Sequence, residues 1–175
     1  MPRLSKTEWI AFVAATVAGV CLHSLYTLLP CPPTALVAPV RESLWEHVKL
    51  LYWPCLIAAL ALRSRQPGLL GQRAFALLAA TAGMLGIGYL YHIPFQGDSL
   101  IFDIVLYLLM MAVFFLLPHL LPHLLHQPFW QNFREVLVLL VLVLGIATLL
   151  FTFLPPNGLL FTDLSGTPTW VTLPC

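Results

Sequence analysis

The chain has 175 residues, of which 60% are hydrophobic and 9% are charged. A soluble domain has roughly 25% charged residues, and a chain this small cannot hide so much apolar surface from water. Composition therefore excludes a water-soluble domain, and the net charge of +1, with no basic stripe or tail, argues against nucleic acid as a partner.

Five apolar runs are long enough to cross a hydrocarbon core of about 30 Å, which needs about 20 helical residues. Prolines, glycines and charged residues separate them. The predicted helices lie near residues 8–29, 45–62, 73–92, 99–117 and 135–154, with a Pro-rich link at 118–128 and a tail at 155–175. The sequence thus predicts a single all-α domain over 1–175, an integral membrane bundle of about five transmembrane helices in the cell membrane.

Basic residues predict the orientation of this bundle, because they accumulate on cytoplasmic loops. Six of them fall on one side: Arg3, Lys6, Arg63, Arg65, Arg73 and Arg134. The N-terminus is therefore predicted to be cytoplasmic and the C-terminus extracytoplasmic. Five of the seven acids then lie on or near the outer side: Glu42, Glu46, Asp98, Asp103 and Asp163.

Three histidines, His23, His47 and His92, fall on the same outer side. An ionisable group at membrane depth costs several kcal/mol unless it is paired or hydrated, which makes each of them a functional candidate. With Asp103 they predict a zinc-like site of three imidazoles and a carboxylate. Glu46 would serve as a general base there, with Asp103 as a second catalytic carboxylate.

Structural interpretations compete with these roles. Ser43 to Glu46 fits the S-x-x-E capping box, in which the two side chains satisfy free amide groups at a helix start. If the helix begins earlier, near Pro39, then Glu42, Glu46 and Lys49 share one face and can pair locally.

The start of the fourth predicted helix offers a similar choice. Asp98 and Ser99 follow Gly97 and have the pattern of a helix N-cap. Asp103 lies one turn further in, where Ser99 and Tyr107 are possible hydrogen-bond partners.

The first predicted helix carries His23 on a face of small residues, Ala11, Ala15 and Gly19, at four-residue spacing. Such a face lets another helix approach closely, so the imidazole is expected to point into a helix contact.

Two further patterns concern metals and disulfides. His119 and His123 have the i, i+4 spacing of metal ligands, but Pro118 and Pro122 are expected to interrupt the helix, so we interpret this stretch as an interfacial turn. On the outer side, Cys31 and Cys175 can form a disulfide in an oxidising compartment.

The segment RESLWEHVKLLYWP, from Arg41 to Pro54, resembles the hallmark N-E-S-x-W-E-H-x-K-L motif of a bacterial family of small multi-pass membrane proteins of unknown function. The tail resembles that family's F-T-x-x-P-P and later L-F-x-D patterns. Arg41 replaces the family's Asn. The resemblance selects residues without naming a reaction, and we predict ligand-binding roles for five of them: Glu42, Trp45, His47, Lys49 and Asp163.

Three functions are compatible with these observations. The first is a membrane-embedded protein that binds a small ligand, a lipid headgroup or a partner subunit, which includes a second copy of the chain, at its outer polar cluster. The second is a metal-dependent membrane hydrolase or lipid-modifying enzyme, with zinc as cofactor. The third is a small proton- or cation-coupled transporter.

Overall fold

The computed structural model describes residues 4–124 and 127–164, with the backbone alone at 122–124 and 127–131. Its described part is helical and contains no strand. The helices are α1 (Lys6–Leu28), α2 (Pro32–Val37), α3 (Leu44–Arg63), α4 (Leu70–His92), α5 (Leu100–Leu124) and α6 (Gln127–Phe153), with 3₁₀ turns at Pro67–Leu69 and Leu159–Phe161. The predicted all-α class is confirmed.

Helix α3 lies at the centre of the bundle. Twelve of its 20 residues are buried, whereas only four of the 23 residues of α1 are buried. Gly19 allows α1 to approach closely, because a Cβ atom at residue 19 would lie 2.5 Å from the carbonyl oxygen of Leu50 on α3. The predicted close contact through the small residues of α1 therefore exists, and it fixes α1 against α3.

Among the residues that the structure describes, four helices are long and apolar enough to cross a membrane: Lys6–Leu28, Pro67–His92, Leu100–Leu121 and Asn132–Phe153. Their outward faces carry exposed large apolar side chains such as Val13, Val17 and Leu139, as expected for helices whose surroundings are lipid. The fifth predicted span, α3, does not belong to this group. It carries Glu46, Lys49 and Arg63, and the first two are buried inside the protein.

One expectation about proline is corrected. Residues 118–124 do not form an irregular link, because α5 continues through Pro118 and Pro122 to Leu124. Pro54 likewise lies inside an uninterrupted α3. Proline removes one backbone donor from a helix, but packing against neighbouring helices makes this tolerable in membrane proteins.

Most predicted helix bounds change by three residues or fewer, but α5 ends seven residues later and α6 begins eight residues earlier than predicted. Helix α3 begins at Leu44, not near Pro39. Ser43 is its N-cap and accepts a hydrogen bond from the Glu46 amide at 3.3 Å. One half of the predicted capping box is thus present, while the Glu46 carboxylate bonds elsewhere.

Consecutive long helices alternate in direction, which gathers polar side chains at two ends of the bundle. Glu8 near the start of α1 bonds to Arg73 near the start of α4 and to His119 near the end of α5. His23 lies fifteen residues beyond Glu8 on α1, which is about 22 Å of helix. The second end, called here the cavity end, is formed by the end of α1, the start of α3, the end of α4 and the start of α5.

Candidate functional site

A cavity of about 760 Å³ lies at the cavity end. This volume is typical of pockets that bind small molecules. Its polar wall consists of His23, Glu42, His47, His92, Asp98 and Asp103. Its apolar wall includes Val20, Leu44, Leu50, Met84, Leu100, Ile104 and Leu106. All four residues of the predicted metal set therefore line one cavity, although they come from four separate helices.

Three side chains in this cavity form a compact cluster. Glu42 Oε2 lies 3.3 Å from His47 Nε2 and 3.8 Å from His23 Nε2. The ligand atoms of the three residues all lie within 4.8 Å of one another. Zinc bonds of about 2.0–2.1 Å in a tetrahedron place ligand atoms roughly 3.3–3.4 Å apart. The His47–Glu42 separation has this value, and the half-exposed His23 ring is the group that has to move inward.

The backbone orients His47. Its Nδ1 atom lies 2.8 Å from the carbonyl oxygen of Ser43, the N-cap of α3, so an N–H at Nδ1 donates to that oxygen. The Nε2 atom then points at Glu42. A carbonyl that fixes the second ring nitrogen in this way is the usual support of a metal-binding histidine.

Glu42 lies in the loop before α3, with its side chain about half exposed. The hydrogen bond from His47 lowers the pKa of the Glu42 carboxyl below its usual value, and the charge of His23 adds to the effect. Burial and the nearby Asp163 carboxylate oppose the shift without reversing it. The loop is tied to the tail by the Leu164 amide, which donates to the Glu42 carbonyl at 2.8 Å. Glu42 is therefore a carboxylate at neutral pH.

A second histidine–carboxylate pair lines the same cavity. His92 Nε2 lies 2.8 Å from Asp103 Oδ1, and His92 Nδ1 lies 2.9 Å from the carbonyl oxygen of Gly97. Both ring nitrogens therefore lie within hydrogen-bond distance of an oxygen. His92 is nearly buried, with 8% of its side chain exposed, whereas Asp103 is 45% exposed. The carboxylate is thus the member of the pair that a ligand can contact.

Among the described residues, the predicted metal ligands are therefore grouped differently from the prediction. His23 and His47 cluster with Glu42, which the sequence suggested only as a ligand-binding residue. His92 and Asp103 instead bond to each other. The partners expected for Asp103 are also corrected, because the Tyr107 hydroxyl donates to the Thr16 carbonyl at 3.0 Å.

Glu46 and Lys49 do not line the cavity. The fully buried Lys49 ammonium donates to Glu46 at 2.7 Å and to the carbonyls of Ala35 and Ala38 at 2.8 and 3.2 Å. Glu46 also accepts from the Val40 amide at 3.0 Å. These bonds satisfy all three ammonium protons and fasten α2 to α3. Both residues therefore make structural contacts. Neither lies on the cavity, where their predicted catalytic and ligand-binding roles would place them.

Two other predicted binding residues lie beside the cavity. Trp45 packs against Phe151 and Phe161, with ring centroids 5.4 and 5.2 Å away. Asp163 is buried close enough to Glu42 for its charge to act on that carboxyl. Trp45 and Asp163 thus connect the segment around α3 to the tail.

The opposite end contains a polar cluster that sequence analysis missed. Glu8 is 1% exposed. It accepts from Arg73 at 3.0 Å, pairs with His119 at 2.8 Å and bonds to Ser5 in a capping box. Arg73 also donates to Gln66. The sequence carries one signal for this cluster, because Ser5 and Glu8 have the i, i+3 spacing of a capping box.

Several sequence patterns lie partly outside the described part of the chain. These include the side chains of His123 and His126, and Cys175, the proposed partner of Cys31. Within the described part, His119 bonds to Glu8, and the Cys31 thiol lies 3.5 Å from the Thr34 hydroxyl.

The cavity, with its compact cluster and its second histidine–carboxylate pair, is thus the main candidate site. No protein-family model, curated protein or solved structure matches this chain.

Proposed function

We propose that this chain is a multi-pass protein of the cell membrane that binds a divalent metal ion, zinc in the first instance, at His23, Glu42 and His47. The observation that carries the proposal is the convergence of three ligand atoms within 4.8 Å of one another, on the wall of a cavity large enough for a further ligand. Two imidazoles and a carboxylate are a ligand set of catalytic zinc sites, in which the fourth position stays open.

The membrane topology belongs to the same proposal. In the described part of the chain, four helices meet the length and composition needed for a span, and α3 runs between the same two ends with Glu46 and Lys49 buried. Five crossings, with a cytoplasmic N-terminus and the cavity end outside, agree with the distribution of basic residues. The resemblance to the bacterial membrane family adds support through the motif residues Glu42 and His47.

The test is metal titration of purified protein after treatment with a chelator. Wild-type protein should bind one zinc ion per chain. Each of three single variants should weaken zinc binding: His23→Asn, His47→Asn and Glu42→Gln. The expected loss of affinity exceeds the roughly 10–100-fold loss that follows removal of a residue that only supports a metal ligand. Glu135→Gln is the matched control, because that carboxylate is 87% exposed and distant in sequence from the site. Equal zinc binding by all variants would overturn the proposal.

A second candidate function, metal-dependent hydrolysis, is favoured by the His92–Asp103 pair. Zinc lowers the pKa of its bound water to about 7, and an oriented carboxylate on the same cavity wall can accept the released proton. Substituting cobalt for zinc gives a visible spectrum that reports this deprotonation. Asp103→Asn should shift the pH midpoint of the spectral change without removing the metal, and an unchanged midpoint would count against the role.

A further inference from the structure

The cavity is much larger than a metal ion requires. One water occupies roughly 30 Å³ of liquid, whereas the cavity measures about 760 Å³. Its lining combines acids and histidines with aliphatic side chains. Such a cavity fits a ligand that has a polar head and an apolar body.

Apolar side chains of two long helices also line the cavity. Val20 on α1 and Leu100 and Ile104 on α5 belong to its lining, and they are 59%, 73% and 49% exposed. Both helices are apolar enough to span a membrane, so their exposed faces contact lipid. The gap between α1 and α5 therefore opens towards the bilayer.

The depth of this opening agrees with the position of a lipid headgroup. Val20 lies eight residues before the end of α1, about 12 Å of helix, and Ile104 lies four residues beyond the start of α5. A lipid standing in the bilayer at this gap has its headgroup beside the polar wall and its acyl chains beside the aliphatic wall.

The charges of the site select the headgroup. A divalent ion held by two neutral imidazoles and one carboxylate keeps a net positive charge, which attracts an anionic phosphate oxygen. Asp98 and Asp103 on the same cavity wall attract a cation. A headgroup that carries both a phosphate and a protonated amine complements both charges.

We infer, on the basis of the proposed metal site, that the ligand of this cavity is an aminophospholipid of the phosphatidylethanolamine type. It enters sideways between α1 and α5. Its phosphate completes the coordination of the metal, and its ammonium group pairs with the carboxylates of Asp98 and Asp103. Its acyl chains extend past Val20 and Ile104 into the bilayer.

The experiment is native mass spectrometry of zinc-loaded protein in detergent, with phosphatidylethanolamine and phosphatidylglycerol offered in equal amounts. We expect one retained phosphatidylethanolamine per chain and a clear preference over phosphatidylglycerol, which has no amine. Ile104→Trp should close the gap and lose the lipid while keeping zinc. The matched control is Ile101→Trp, since Ile101 is 74% exposed on the same helix but lies outside the cavity. Asp98→Asn should reduce the preference between the two lipids.

The same spectra separate the two claims, because they report zinc and lipid together. Zinc without lipid, or equal lipid retention by the Ile104→Trp and Ile101→Trp variants, overturns the inference and leaves the metal site standing. Equal retention of the two phospholipids overturns the role of the amine. Absence of zinc from the wild-type protein overturns the proposed function and, with it, the position assigned to the phosphate.

Discussion

Glu42 Oε2 lies 3.3 Å from His47 Nε2, while the other nitrogen of that imidazole faces the Ser43 carbonyl. In the metal-free protein, a proton on Nε2 can bridge the imidazole and the carboxylate. A zinc ion bound by both groups takes the place of that proton. The pair is therefore prepared for a cation before one arrives, which limits the rearrangement that binding requires.

Metal binding should depend on pH through the two imidazoles. Histidine has a usual pKa of about 6.5, and a metal binds only the unprotonated ring nitrogen. Glu42 contributes no competing proton near neutrality because its pKa is lowered. We expect zinc affinity to fall as the pH is lowered, because protons compete with the metal for the two ring nitrogens, with up to two protons released per bound ion. Calorimetry in buffers of different ionisation enthalpy counts these protons. Affinity that stays constant between neutrality and mildly acidic pH would contradict a site built on histidines.

Lys49 should matter for stability and not for metal binding. Lys49→Met leaves the buried Glu46 carboxylate without its cation, and breaking a buried pair in this way costs about 3–5 kcal/mol. Thermal unfolding should therefore begin at a clearly lower temperature, while the folded protein binds zinc with wild-type affinity. Unchanged stability together with lost zinc binding would instead favour the ligand-binding role that the sequence predicted for Lys49.

The turn between α4 and α5 should require glycine at residue 97. A Cβ atom there would overlap the Tyr91 ring, which stacks on Phe102 with centroids 3.7 Å apart. Gly97→Ala should thus displace the carbonyl that holds His92 and cost about 1–3 kcal/mol, as overpacking does. Gly86→Ala is the control on α4, because no atom lies within 4 Å of its added methyl group. Equal unfolding temperatures for the two variants would show that the turn tolerates a side chain.

The orientation predicts which cysteine a membrane-impermeant maleimide can reach. Cys31 lies between α1 and α2 at the cavity end, and a hydrogen bond from Thr34 lowers the pKa of its thiol, which favours the reactive thiolate. With the other cysteines replaced by alanine, Cys31 should be labelled in intact cells. In a matched variant that lacks Cys31, Ser64→Cys at the opposite end should be labelled only after permeabilisation. Labelling in the opposite order would invert the topology.

Composition and hydrophobic runs were sufficient to predict the fold class and the approximate positions of the five long helices. They were less informative about α3. Its charged residues argue against a membrane span when the sequence is considered alone, whereas in the structure Lys49 and Glu46 bond to each other inside the protein. The run of prolines after residue 117 suggested a break, but Pro118 lies within α5. The local sequence does not show how neighbouring helices pack around a proline and compensate for the backbone N–H that it lacks.

The candidate site was predictable only in part. Topology placed His23, His47, His92 and Asp103 at one end, because alternating helices bring their ends together. Distances between side chains on separate helices depend on rotation about each axis, which apolar runs do not specify. This is why the pairing of His92 with Asp103, and the place of Glu42 beside His47, became visible only in the structure.

X-ray absorption at the zinc edge is a direct test of the proposed metal site, because it identifies the ligands of the bound metal. For wild-type protein loaded with one zinc ion per chain, we expect nitrogen and oxygen neighbours at about 2.0–2.1 Å and outer scattering from two imidazole rings, falling to one ring in His47→Asn. A wild-type spectrum with sulfur neighbours or without imidazole scattering, or a protein that holds no stoichiometric zinc, would contradict the proposed site.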